Sequence, residues 1–461
     1  MTGRPKVLVS AYACHPRPAA AHFPGEAILG WSLAKEIAGF ADLHLLTWAF
    51  NKEGVEGTLA GPDGRPARVH YVDLPPRLHR ALRDRHYGVR FYYFLWQRQA
   101  AKVARRLAGE ETFDLFHQIT FSNDWMPSFI APALPIPFVW GPIGGGQRVP
   151  RELMPTLARR DRRQERSRVL LQAVWRATPA RRRCARKASA ILVCNKETRR
   201  VLSRWDDKIV DFPVNGISGD AIAADGPTGR RDGFRLLYVG RFDPIKGLPL
   251  ALEALRILRA VAPSATLELV GEGPERTRLE ERAGRLGLAD SLIWTPWSPR
   301  PEIFEKMRRS DVFLFPSLRD GGGAVVVEAL ASGLPVVCLD VGGPGFHVRN
   351  GWGFKVPPGR PEAVAAELAG ALGRFWCDPG LRDRTGREAR ERAASYYTWR
   401  RLGERLRAIY DDALAGRPPR TGGRGIVPVR LEAEGVPHGG MGGAEAGRGR
   451  HRTGPGSEEG P

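Results

Sequence analysis

Two acids, Asp320 and Glu328, stand eight positions apart in the stretch PSLRDGGGAVVVEALASG, and three consecutive glycines, Gly321, Gly322 and Gly323, follow the first. A turn without Cβ atoms lets a bulky ligand approach the main chain closely. The AVVVEALA run behind it has helical character, and N–H groups at a helix start favour anionic or hydroxyl-rich ligands. Glu328, about one turn into that helix, can accept hydrogen bonds from a sugar diol. Upstream, LLYVGRFDPIKG sets Arg241 directly after a strand-like run and Lys246 five positions later. Arginine chelates two phosphate oxygens and lysine adds a mobile point charge, so the pair suits a diphosphate. On spacing alone a second reading stands beside this one: a solvated turn with incidental cations, and Glu328 on a wet face. The apolar neighbours of Glu328 in VVVEALA count against the wet face.

These residues need elements to hold them. KVLVSAYAC, DLHLLTW, RVHYVDL, DLFHQIT, PFVWGPI and AILVCN are short apolar strands with helical or loop material between them. That alternation predicts a parallel sheet covered by helices. It restarts after the Gly, Asp and Pro-rich DFPVNGISGDAIAADGPTGRRDG with FRLLYVG, ATLELVG, SLIWTPW, DVFLFPS and LPVVCLD, each again followed by helical spacing. Two doubly wound α/β domains in series are predicted: residues 1–215, a linker at 216–233, residues 234–377, a helical segment at 378–415, and a disordered Gly, Arg and Pro-rich tail at 416–461. In such sheets ligands sit outside the carboxyl ends of the strands.

The formal charge is +21, and of the 71 basic residues ten are lysine. Part of that excess is a bias spread over the chain, and part is local. Between Arg159 and Lys187, twelve Arg or Lys face only Asp161 and Glu165, a net +10 in 29 residues. Such a block suits phosphate or anionic lipid. It encloses the apolar VLLQAVW, and residues 89–99, VRFYYFLWQRQ, share the amphipathic character. A core helix with a solvated Arg-rich face and an interfacial membrane helix are both open for these segments. No apolar run is long enough to span a bilayer. Five scattered cysteines and an opening segment without a signal-peptide profile predict a cytoplasmic protein, with peripheral contact at the inner face of the membrane as the further option.

Taken together, VGRFDPIKG and FPSLRDGGGAVVVEALASGLPVV, with LVGEGPE and LDVGGPGF, resemble the retaining GT-B glycosyltransferases of family four. The resemblance implies a cleft between two Rossmann-like domains and a nucleotide-diphosphate sugar as donor. It implies that Arg241 and Lys246 hold the diphosphate, and that Asp320 takes the place of the first acid, at the transferred sugar. Glu328 is then the ribose ligand, and Gly322, Gly323, Ala324 and Val325 bind the donor along their backbone. The usual first acid is Glu, so Asp320 is one methylene short, and the turn lacks a frequent aromatic. In the first domain, Gly25 and Glu26 replace part of a Gly-Ser-Glu element. A lone histidine is more often a packed polar residue than a catalyst, but His117 lies at a strand end resembling the family's active-site histidine, and the resemblance implies a role near the transferred sugar. GPIGGGQ offers Gly144 and Gly145 to the cleft. The acceptor is a glycan or lipid-linked glycan, as in cell-envelope or exopolysaccharide synthesis. No cofactor and no metal are expected, since no Asp-x-Asp triplet occurs in the chain.

Other classes remain to be weighed. The charge alone suggests nucleic acid, yet no nucleic-acid module is present and specific binding is not expected. A sugar-nucleotide epimerase or phosphorylase, or a binder of nucleotide sugars without turnover, would use the same scaffold.

Overall fold

A computed structural model describes residues 3–17, 24–61, 66–75, 77, 88–121, 123–222, 233–349 and 351–420. Among these, thirteen strands form two sheets, every pairing parallel. The first runs in the order β3-β2-β1-β4-β5-β6-β7: β1 Lys6–Ser10, β2 Asp42–Trp48, β3 Arg68–Val72, β4 Leu115–Gln118, β5 Phe138–Ile143, β6 Ala190–Val193 and β7 Ile209–Asp211. The second runs β10-β9-β8-β11-β12-β13: β8 Phe234–Val239, β9 Ala265–Val270, β10 Leu292–Thr295, β11 Val312–Phe315, β12 Val336–Leu339 and β13 Gly353–Val356. The central strands are buried on both faces, which is why they read as continuous apolar runs rather than alternating ones.

The helices that matter for the site are α1 Pro24–Phe40, α2 Gly88–Glu110, α3 Arg159–Arg176, α4 Pro179–Lys187, α5 Leu248–Leu258, α6 Arg300–Arg309, α7 Ala324–Ala331, α8 Pro361–Cys377, α9 Pro379–Arg392 and α10 Trp399–Leu414. Leu250, Ala251, Ala254, Leu255 and Leu258 bury the apolar stripe of α5, which packs on α8. Spacing at three and four residues accounts for such a stripe.

α10 does not remain with the second sheet. Leu402, Leu406, Ile409, Tyr410 and Ala413 join the core beneath β1, β2, β4 and β5, and α10 lies along α1. The C-terminal helix therefore completes the first domain. The structured chain also extends past the point where a tail was expected: Arg417 and Arg420 both donate to the Asp412 carboxylate. Most of the expected linker, residues 223–232, and the tail from 421 lie outside the described residues.

Candidate functional site

β8 ends at Val239 and the chain turns through Gly240. The next turn packs on the end of β11. Gly247 adopts φ +68°, and a Cβ there would run into the carbonyl oxygen of Pro316. That close approach delivers Lys246 to the other loop. Its Nζ donates to Asp320 Oδ2 at 2.6 Å and sits 5.3 Å from the Phe315 ring centroid.

Arg241 does not join it. Its guanidinium folds back on Asp243, two residues on, with Nε and Nη2 at 3.0 and 3.3 Å from the two carboxylate oxygens. The side chain is 73% exposed and lies off the cavity wall. Of the expected pair of cations, Lys246 lines the cavity and Arg241, paired with Asp243, does not.

The turn 320–323 answers the question its glycines raise. Asp320 Oδ1 accepts from Gly323 N at 2.7 Å and Gly322 N at 3.2 Å, so this carboxylate closes the turn that leads into α7 while its other oxygen holds Lys246. Gly323 has φ +61°, the left-handed conformation that glycine adopts without strain. Gly322 has a different reason: a Cβ on it would collide with Val214 and Asn215 of the first domain. The carbonyls of the turn point outward to partners. Asn195 Nδ2 donates to Gly321 O at 3.2 Å, Asn215 Nδ2 to Gly322 O at 2.7 Å, and His347 Nε2 to Gly322 O at 2.6 Å. Burial lowers the pKa of His347 to about 4, so the ring is neutral. Its Nδ1 then accepts from Tyr397, 2.9 Å away.

The two acids differ electrostatically. Burial pushes Asp320 upward, but the Lys246 ammonium and the Gly323 and Gly322 N–H groups outweigh it and hold the carboxyl below its usual range. Glu328 is raised instead, because burial outweighs its one cationic partner. That partner is Arg300, at the start of α6, whose Nη2 lies 2.6 Å from Glu328 Oε1.

On the first-domain side, Gly25 and Glu26 form the first turn of α1. Glu26 Oε2 accepts from Phe121 N at 3.2 Å. Phe121 has φ +53°, which is unusual for a side-chain-bearing residue and is held by packing on Tyr12 and Tyr93, with centroids 5.0 and 5.1 Å away. Burial raises the Glu26 pKa to about 7, with the Phe121 N–H opposing it. Gly145 N donates to Gln147 Oε1 at 2.9 Å, and Gly145 O accepts from Arg176 at 2.8 Å.

His117 is a second correction. It is fully buried, its Nε2 donating to Gly141 O at 2.6 Å and its Nδ1 accepting from Tyr410 of α10 at the same distance. Burial takes its pKa down to about 4. With both ring nitrogens engaged inside the core it is a structural bridge, and it does not line the cleft.

A cavity of about 890 Å³ lies at the carboxyl ends of the two sheets. Gly25, Glu26, Gly144, Gly145, Lys246, Asp320, Gly322, Gly323, Ala324, Val325 and Glu328 all line it. So do Gln147, the last residue of GPIGGGQ, and residues that no motif indicated: Asn123, Asn215, Trp297 and Arg300. Asn215 follows β7, and Trp297 and Arg300 follow β10, so the strand-end rule was the available signal for them. The assembly offers one ammonium, a helix start and a half-buried carboxylate along one wall, with amides along the other. It can hold an elongated anion that carries hydroxyl groups.

Residues 227–392 match the family described as glycosyl transferases group 1. The chain is 35% identical over 195 residues to D-inositol 3-phosphate glycosyltransferase of Acidothermus cellulolyticus, covering 40% of this chain and 42% of that protein. It is 31% identical over 182 residues to glycogen synthase of Mycobacterium tuberculosis, covering 39% and 43%. The matched region thus spans less than half the length of these relatives. Among solved structures, sucrose-phosphate synthase from Thermosynechococcus elongatus superposes with a TM-score of 0.56 at 19% identity, over 89% of this chain and all of that one. The Anabaena protein Alr3699/HepE in complex with UDP gives 0.55 at 16% identity, over 88% of this chain and 100% of that chain. The fold is GT-B.

Proposed function

We propose that this chain is a retaining, family-four glycosyltransferase that moves a sugar from a nucleotide-diphosphate donor to an acceptor hydroxyl. The observation that carries the reading is that Lys246, Asp320, the glycine turn and Glu328 face one cavity lined by both domains. The match to glycosyl transferases group 1 over residues 227–392 supports it, as do the named relatives.

In this reading the second domain binds the donor. Lys246 and the N–H groups at the start of α7 stabilise the charge that grows on the departing diphosphate. Glu328, oriented by Arg300, takes the ribose hydroxyls. Asp320 positions both Lys246 and the turn at the transferred sugar. Closure of the cleft excludes water and limits hydrolysis of the donor. The acceptor hydroxyl attacks the anomeric carbon on the face the diphosphate leaves, so no enzyme nucleophile is assigned. The acceptor is a glycan or lipid-linked glycan of the cell envelope or an exopolysaccharide, met at the inner face of the membrane. No metal is required.

The test is incubation with a panel of nucleotide sugars and lipid-linked acceptors, following nucleotide release and the anomeric configuration of the product by NMR. Turnover with retention that survives EDTA supports the reading. An inverted product, or donor binding without any turnover, removes it.

A further inference from the structure

The two segments singled out for amphipathic character come together in space. Phe94 of α2 packs against Trp175 of α3 with centroids 6.1 Å apart, and Phe91, 52% exposed, stacks on Phe94. On the outer side of α3, Leu170, Leu171 and Val174 are exposed, Leu170 and Val174 at 67% and 61%. Arg159, Arg160, Arg163 and Arg166 lie exposed before this ridge, and Arg182, Arg183 and Arg186 of α4 after it. An aliphatic ridge between two groups of arginines complements an anionic lipid surface, which takes the apolar side chains at the acyl boundary and the guanidinium groups among its headgroups.

The inner side of the same helix grips the cleft. Glu165 is 5% exposed. Its Oε1 accepts from Val149 N at 3.2 Å and pairs with Arg168 at 2.6 Å. Its Oε2 lies 2.7 Å from Nη1 of Arg319, the residue immediately before Asp320. Arg168 also donates to Gln147 O at 3.2 Å, and Arg176 to Gly145 O. One helix therefore carries the exposed ridge on one face, and on the other an ion pair that crosses between domains to the turn holding Lys246.

We propose that α3 docks on an anionic membrane through its Leu170–Val174 ridge and couples that docking to donor binding through the Glu165–Arg319 pair. The coupling rests on the transfer reading, in which the turn binds the donor. It acts by linkage: any change in α3 on docking shifts the position of Glu165, and whatever factor lipid adds to donor affinity, donor adds to lipid affinity.

The experiment uses the full chain with phosphatidylcholine vesicles, with and without phosphatidylglycerol, and the tightest-binding of UDP, GDP and ADP as probe. Sedimentation is expected only with phosphatidylglycerol, and the double variant Leu170→Asp with Val174→Asp is expected to lose it by about tenfold or more while binding nucleotide normally in solution. Anionic vesicles are expected to change nucleotide affinity of the parent by about fivefold, in the range of ordinary coupling. Glu165→Gln, and Arg319→Gln from the other side of the pair, are expected to sediment like the parent but to lose that change. Equal sedimentation with neutral vesicles, or binding that survives the double variant, overturns the docking. Retention by double-stranded DNA that is as strong and equally sensitive to the double variant does the same. Docking with an unchanged nucleotide affinity overturns the coupling. If no nucleotide binds in solution, the transfer reading fails and the coupling falls with it, while the sedimentation arm still decides the docking.

Discussion

The two walls of the cleft are built on opposite electrostatic plans. On the second-domain wall each acid has a cation at 2.6 Å: Asp320 with Lys246, Glu328 with Arg300. On the first-domain wall Glu26 has a backbone N–H from Phe121 as its bonded partner, and the remaining polar groups are amides such as Asn123, Gln147 and Asn215. The difference separates what each wall can bind. The paired wall is fixed before a ligand arrives and presents cations and N–H groups to a polyanion. The unpaired wall changes charge near neutrality and suits hydroxyl groups, with a proton to hold or release at Glu26.

If the walls divide the work this way, substitutions on each should separate binding from turnover. The largest effect is expected for Asp320→Asn. It keeps the shape and an oxygen for the Gly322 and Gly323 N–H groups but removes the charge that fixes Lys246. Turnover should fall about 100-fold, the scale of losing one aligned charged contact in a transition state, while nucleotide affinity measured by calorimetry does not fall. Loss of affinity in step with turnover would make Asp320 a donor-binding group and blur the comparison.

The second effect is on stability and its pH dependence. Glu26 titrates at about 7 when folded against an ordinary 4.5, so the folded state keeps a proton that the unfolded state has released between those values. Stability from this group is therefore full below pH 4.5 and declines as pH rises toward 7, by roughly 3 kcal/mol at most. Glu26→Gln lacks that decline. Thermal melts should show the variant gaining several degrees on the parent at pH 8 and little at pH 5. An equal difference at both values would mean that Glu26 is solvated and the wall is charged throughout.

Arg241→Ala should have the smallest effect, below about threefold on nucleotide affinity, since exposed ion pairs contribute little. A loss as large as that for Lys246 would show that the guanidinium leaves Asp243 to meet the ligand.

The contrast also explains what could be read from the sequence. Strands buried on both faces are long apolar words, and FRLLYV or VFLF announce themselves. β7, with three residues, and β13, the tetrapeptide GFKV, are edge strands too short to stand out, and both escaped. Lys246, Asp320 and Glu328 could be placed at the cavity because they follow strand ends of the second sheet, Lys246 after β8 and the two acids after β11. Arg241 lies off the cavity, paired with Asp243 two residues on, and no spacing rule reports that. His117 was misread because its partner, Tyr410, lies 293 residues further along, on a helix that returns to the first domain. Arg300, Asn195 and Asn215 are single polar residues after strands: Arg300 gains its role from Glu328 on the neighbouring helix, and the two asparagines gain theirs from the packing of one domain against the other.

The most direct test is calorimetric titration of UDP, GDP and ADP into the parent, Lys246→Ala and Glu328→Gln proteins. At least one diphosphate should bind the parent, about 100-fold more weakly to Lys246→Ala and about tenfold more weakly to Glu328→Gln, as expected for a charged contact and a buried hydrogen bond. Equal binding by all three proteins, or no binding to the parent, would contradict a diphosphate held between Lys246 and the start of α7.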